Sequence, residues 1–155
     1  MKLKKQLDID VYSASKERIS YSFDNFEKLF ISFSGGKDST VMFHLVMEEA
    51  IKRNRKVGVM LVDLEAQYQH TISHANEMFD KYKDYIEPYW ICLPLKLRNG
   101  VSSFEPVWCC WDEDDIDKWV RDFPKRDDVI TDINYFPFFQ KKMEFEEFIV
   151  LFGEW

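Results

Sequence analysis

The stretch LFISFSGGKDSTVMFHLVMEEA, Leu29–Ala50, constrains this chain more than any other. Its apolar, β-favouring run LFISFS (Leu29–Ser34) stops at Gly35-Gly36, as a buried strand does at a turn. From Asp38 to about Arg53, Val41, Met42, Leu45, Val46, Ala50 and Ile51 recur at helical spacing, and Lys52, Arg53 and Arg55 suit a helix C-terminus. A strand that feeds a helix through two glycines makes an anion site for physical reasons. Glycine permits positive φ, so successive N–H groups can point into one concavity, and the helix dipole adds positive potential. Ser34 and Ser39 would supply hydroxyls there, and Lys37 a cation.

The alternation continues downstream. KVGVMLVD (Lys56–Asp63) is a near-continuous apolar run, as expected of an interior parallel strand. TISHANEMFDKYK (Thr71–Lys83) places Ile72, Ala75, Phe79 and Tyr82 on one helical face, with Thr71 as a candidate N-cap. YWICLPL (Tyr89–Leu95) reads as a third strand. Strand, helix, strand, helix, strand implies an α/β fold with a parallel sheet and right-handed crossovers. Upstream, only a short helix near Ser15–Tyr21 is legible. Beyond Leu95 the pattern becomes irregular and aromatic-rich, with three tryptophans in the stretch from Lys96 to Asp128. It ends in a helix carrying Phe145, Phe148, Ile149 and Phe152 on one face. The chain reads as one domain, 1–155, with a regular core over about 24–95 and a loop-rich, helical extension over about 96–155. Three strands make a thin sheet, so the expectation is a front part of a larger unit, or a subunit needing a partner.

Composition narrows the function classes. Hydrophobic content of 46% and aromatic content of 17% exclude a disordered chain. No apolar run approaches the ~18 residues of a membrane span. The N-terminal MKLKKQLDID has lysines without an apolar segment behind them, unlike a secretory leader, so the cytoplasm is the expected compartment. A net charge of −7 argues against coating nucleic acid, although it leaves room for a basic pocket that takes a small anion. The three cysteines, Cys92, Cys109 and Cys110, lack the number or spacing for a disulfide framework, a zinc ribbon or a four-cysteine iron–sulfur cluster.

The glycine turn is neither a Walker A loop nor a G-x-G-x-x-G dinucleotide turn. SGGKDS, Ser34–Ser39, resembles instead the PP-loop of the adenine-nucleotide alpha-hydrolase-like superfamily, which includes ATP pyrophosphatases, the small subunit of ATP sulfurylase and PAPS reductases. LVDLEAQYQHT is similar to the strand-two segment of PAPS reductases: Asp63 and Tyr68 keep its outline, whereas Leu64, Glu65, Ala66 and Gln67 depart from it. CLPLKLRNGVS, PVWCCWD and MEFEEF resemble a bacterial PAPS reductase-like group that includes the immunoglobulin-binding regulator A proteins. Members of that group continue beyond the position of Trp155, so the resemblance makes this chain an N-terminal part or a shortened relative.

The resemblance implies a Rossmann-like three-layer sandwich of PP-loop type, with a mostly parallel sheet and the nucleotide across its carboxyl strand ends. The rule that α/β ligands sit at a topological switch point gives the same location. The expected nucleotide contacts are Ser34, Gly35, Gly36, Lys37, Asp38, Ser39, Asp63 and Arg98, the last because a guanidinium fork suits phosphate or sulfate. Lys37 and Asp38 are the expected catalytic pair. Asp38 and Asp63, with Glu65 a weaker third, are the expected Mg²⁺ ligands, since that ion prefers carboxylates beside phosphates.

Other groups read more plainly. His70 and His74 are spaced i, i+4 but lack the glutamate of H-E-x-x-H, so a shared metal is disfavoured. His44 reads as a packed or surface residue, and Asp112–Asp117 as a solvated acidic face. Cys109 and Cys110 fit packing beside Trp108 and Trp111 better than a redox pair. The leading function is cleavage of the α–β anhydride of ATP, an adenylyl transfer with pyrophosphate release. SGGKDS favours ATP because PAPS reductase loops usually lose the Lys-Asp-Ser ending. One alternative is reduction of PAPS or APS, which needs a nucleophilic cysteine in a Glu-Cys-Gly-Leu-His-type motif absent here. Another is a non-catalytic nucleotide-binding regulator, its aromatic C-terminal helix facing a second copy or another protein.

Overall fold

The computed structural model describes residues 8–100 and 102–155. The N-terminal lysines, read above as belonging to no secretory leader, and Val101 of the LRNGVSS segment lie outside the described residues.

Helix α1 spans Val11–Asn25, longer than the Ser15–Tyr21 expected, because its start is fixed by a cap that periodicity does not reveal. Asp10 accepts a bond from the Ser13 amide at 3.0 Å and meets an otherwise unpaired first-turn donor. Strand β1 (Phe30–Ser32) leads through the glycine turn into α2 (Lys37–Arg53). Strand β2 (Val57–Val62), α3 (Gln69–Lys81) and β3 (Ile86–Ile91) complete the regular core. A two-stranded antiparallel sheet follows, β4 (Lys96–Arg98) with β5 (Val107–Cys109). Then come a 3₁₀ turn over Glu113–Lys118, strand β6 (Val129–Ile130) and helix α4 (Phe145–Glu154).

The principal sheet is four-stranded, in the order β1-β2-β3-β6, and every pairing is parallel. Strand β6 was not foreseen: two residues carry no periodic signal, and only their pairing with Trp90 and Ile91 makes them a strand. Strand β3 begins at Ile86 rather than Tyr89, since Pro88 does not end it. Cys92 donates its amide to Ile130 on the β6 side, and donors two residues apart point the same way. A donor at Pro88 would therefore face past the end of β6, where its loss leaves no ladder bond broken.

Phe33 packs on Phe43 of α2, and Trp90 on Phe79 of α3, with ring centroids 5.0 and 5.3 Å apart, so those helices cover one face. On the other face Phe30 and Tyr89 meet Phe152 of α4 edge-on at 5.1 and 5.3 Å. Gly58 sits beneath them, and a Cβ there would lie 3.0 Å from that of Phe30. The result is the α/β/α sandwich expected. Phe148 and Phe152, with Phe136 between them, are buried within the chain itself, so the aromatic face of α4 is already covered.

The strand order runs monotonically, with β1 at the edge of the sheet. Among the described residues there is therefore no point at which the order reverses. The glycine turn lies beyond the end of an edge strand rather than in the expected switch-point crevice.

Candidate functional site

The turn after β1 is built as an anion-binding loop would be. Gly35 has φ +72°, and a Cβ on it would lie 2.7 Å from Thr71 Cγ2, so both backbone shape and space demand glycine. Gly36 is the N-cap of α2 at φ −77° and ψ 163°, and no side chain caps the first turn. The free donors of that turn are thus exposed at the positive end of the helix dipole. Around them Gly36 N–H points to Ser34 Oγ at 3.4 Å, Ser34 and Ser39 share a hydroxyl contact of 3.0 Å, and Ser39 Oγ donates to Gly36 C=O at 3.0 Å. Both hydroxyls sit on an exposed rim and can turn to an incoming anion.

Lys37 and Asp38 lie at the rim, their side chains 90% and 92% exposed, with an ion pair of 3.6 Å between them. Such a pair is worth little in water, so the ammonium is free to swing toward a ligand. Thr71, expected to cap α3, lies inside that helix, because Tyr68 takes the cap position and the Thr71 amide bonds to Tyr68 C=O. Its methyl instead floors Gly35.

Asp63 is buried among protein partners. Its side chain is 0% exposed, and its oxygens accept bonds from Trp90 Nε1 at 2.9 Å, from the Glu65 amide at 3.0 Å and from Arg121. Glu65, at φ +62°, accepts from the Trp111 amide at 2.8 Å and the Val120 amide at 2.9 Å. Its carbonyl takes Arg121 Nε at 2.8 Å, and the guanidinium lies over the Trp111 ring. These contacts tie the end of β2 to the segment 111–121. The Asp63 oxygens are directed at protein donors in a buried site, whereas Asp38 lies on the exposed rim, and Glu65 is occupied likewise. Among the described residues no group of three or more His, Cys, Asp or Glu is arranged to hold a metal ion.

Arg98 is exposed on β4, in the smaller sheet. His44 Nδ1 bonds to Tyr82 OH at 2.7 Å, joining α2 to α3; burial, then the nearby Lys81, moves its pKa below the ordinary value. His74 pairs with Thr40 rather than with His70: Nε2 lies 2.9 Å from Thr40 Oγ1. Asp112, assigned above to a solvated face, is buried and paired with Lys142 at 2.7 Å and Lys141 at 3.5 Å.

The cysteines are free thiols. Burial pushes Cys109 up to about 11 and Cys110 up to about 12, Cys110 pointing at the Leu93 and Leu95 carbonyls. Thiols held protonated in this way are poor nucleophiles. Sequence reasoning missed Arg121, Thr40 and Thr71. For Thr40 the signal was present: a threonine four residues after the N-cap can return a bond to the cap carbonyl. For Arg121 there was none, since 58 residues separate it from Asp63.

Two comparisons with known proteins bear on the family of the chain. Residues 28–89, which contain β1, the loop, α2, β2 and α3, match the phosphoadenosine phosphosulfate reductase domain family. Over 150 residues the chain is 40% identical to the Escherichia coli (strain K12) protein described as "Uncharacterized protein YbdN". That alignment covers 96% of this chain and 36% of the relative, so the chain spans just over a third of that protein's length. No solved structure matches. The region that builds the loop and most of the parallel sheet thus resembles a PAPS reductase domain, and the two likenesses together support a PAPS reductase-like family for the chain.

Proposed function

We propose that residues 34–39 bind the phosphate chain of an adenine nucleotide, ATP in preference to PAPS or APS. The observation that carries this reading is the uncapped first turn of α2, presented by a glycine at φ +72° where a Cβ would press on Thr71. In the reaction that fits this loop, a nucleophile attacks the α-phosphorus of ATP and the α–β bridging bond breaks. Pyrophosphate leaves with its electron pair while the adenylate passes to the acceptor. The chain's contribution is positioning plus stabilisation of the charge that grows on the leaving group. The amides of Gly36 to Ser39 and the Lys37 ammonium supply that stabilisation. Asp38 is the exposed carboxylate that would hold a magnesium ion arriving as the nucleotide's counter-ion, which would neutralise charge on the phosphates. The compartment proposed is the cytoplasm, where ATP is abundant.

Binding without turnover is a second reading. It is favoured by the burial of Asp63 and Glu65, which removes two of the three carboxylates expected at the phosphates. Reduction of PAPS is disfavoured by the raised pKa values of Cys109 and Cys110.

Titration calorimetry with ATP, PAPS and APS, run beside an assay for pyrophosphate and AMP with and without sulfate, separates these readings. Binding of ATP with pyrophosphate release supports the first, and binding with no release the second. Retained ATP binding after Gly36→Trp would contradict the assignment of the loop, because an indole there fills the concavity between Ser34 and Ser39.

A further inference from the structure

Helix α3 touches the glycine loop at two places one turn apart. Thr71 lies under Gly35, and His74 meets Thr40, whose hydroxyl also reaches the Gly36 carbonyl at 2.8 Å. That carbonyl is the N-cap carbonyl of α2 and already accepts the Thr40 amide at 2.9 Å. The Thr40 hydroxyl has one proton. If it donates to Gly36, the contact with His74 is satisfied only by a proton on His74 Nε2. Phe33 lies beside the imidazole, with ring centroids 6.0 Å apart, and limits its swing.

We propose that His74, as the Nε2–H form, is a positioning residue for the loop. It donates to Thr40 Oγ1, directs the Thr40 proton onto Gly36 C=O and so fixes the plane of the peptide that leads into the exposed amides of α2. A carbonyl held back toward the helix leaves the amides of Lys37, Asp38 and Ser39 facing outward. Without the Thr40 hydroxyl, only the Thr40 amide and the Ser39 hydroxyl at 3.0 Å would hold that carbonyl, and its negative end could tilt toward the anion. Thr71 supplies the second point of the clamp by closing the space under Gly35, so the loop cannot rock about its positive-φ residue. The loop is therefore aligned by α3 as well as by α2. The link to nucleotide affinity rests on the function proposed above; the clamp itself does not.

Two measurements keep these apart. In the free protein, ¹⁵N NMR of the imidazole should show the proton on Nε2, and Nδ1–H with a bare Nε2 would overturn the proposal. Amide exchange at Thr40, whose N–H bonds to the Gly36 carbonyl, should quicken roughly five- to tenfold in His74→Leu and in Thr40→Val, the weight of one neutral hydrogen bond. It should return toward wild type in His74→Gln and Thr40→Ser, which restore a donor and a hydroxyl. Thermal melts of the same variants identify any that fail to fold, and the conservative pair then decides the matter. Unchanged exchange in both His74→Leu and Thr40→Val overturns the clamp, whether or not ATP binds. Faster exchange in those variants, with no nucleotide bound by wild type, upholds the clamp and removes the nucleotide reading. Where ATP does bind, affinity should fall by the same factor in His74→Leu and recover in His74→Gln; an equal loss in both would reduce His74 to a packing residue.

Discussion

Gly35 and Gly36 are adjacent and chemically identical, yet the fold asks different things of them. Gly35 occupies the left-handed region with Thr71 Cγ2 2.7 Å from where a Cβ would be, whereas Gly36 has φ −77° and its nearest neighbour would be Ser34 Oγ at 3.4 Å. An L-residue at positive φ costs about 1–2 kcal/mol, and overpacking typically adds about 1–3. Gly35→Ala should therefore lower unfolding stability in urea by roughly 2–5 kcal/mol, and Gly36→Ala by under about 1. Equal losses at the two positions would show that the strain at Gly35 is not real. The sequence made both glycines visible. Which of them bears the turn depends on a threonine 36 residues away in the chain, brought there by α3.

At the scale of elements, α1 depends on residues outside itself. Its last turn contains no basic side chain, and the carbonyls of Phe23, Phe26 and Glu27 are met by Arg55, from beyond the end of α2. Arg53 adds contacts to Asp24 and to Ser20 Oγ. Both arginines were legible as cations at the end of α2, but Arg55 serves the C-terminal dipole of α1, and Arg53 ties Glu49 of α2 to Asp24 of α1. Arg55→Met keeps the apolar stem and removes the donors. Amide protection should then fall across Val11–Asn25 while α2 and the strands keep theirs, with a stability loss of about 1.5–3 kcal/mol. Exchange that rises uniformly across the chain, or not at all, would count against a local docking role. Strands β3 and β6 make the same point from another direction. The sequence shows β3 only from Tyr89 and Val129-Ile130 not at all, because a proline's tolerance in a strand and a two-residue strand's existence are properties of the neighbouring strand.

For the whole molecule, the buried cluster of Asp63, Glu65, Trp90, Trp111 and Arg121 joins the regular core to the irregular part. Asp63→Asn leaves the Arg121 guanidinium without its counter-charge in a nearly closed site, where breaking such a pair costs about 3–5 kcal/mol. The urea midpoint should fall accordingly, with Trp90 and Trp111 reporting the change by fluorescence. The double variant Asp63→Asn, Arg121→Met should recover part of the loss, since no charge is then stranded. A merely metal-ligating Asp63 would give the opposite pattern: little change in stability, and no coupling to Arg121.

Local chemistry determined most of the regular half of this protein. Apolar runs that change from continuous to helical spacing, punctuated by Gly35-Gly36, were enough to read α2, β2 and the parallel α/β class, because those preferences act over a few residues. The same locality made the loop legible as an anion site. The tertiary structure alone decided what Asp63 does. A carboxylate at the end of a strand looks the same in sequence whether it faces a nucleotide or an arginine 58 residues away, and burial, not spacing, settles which partner it meets.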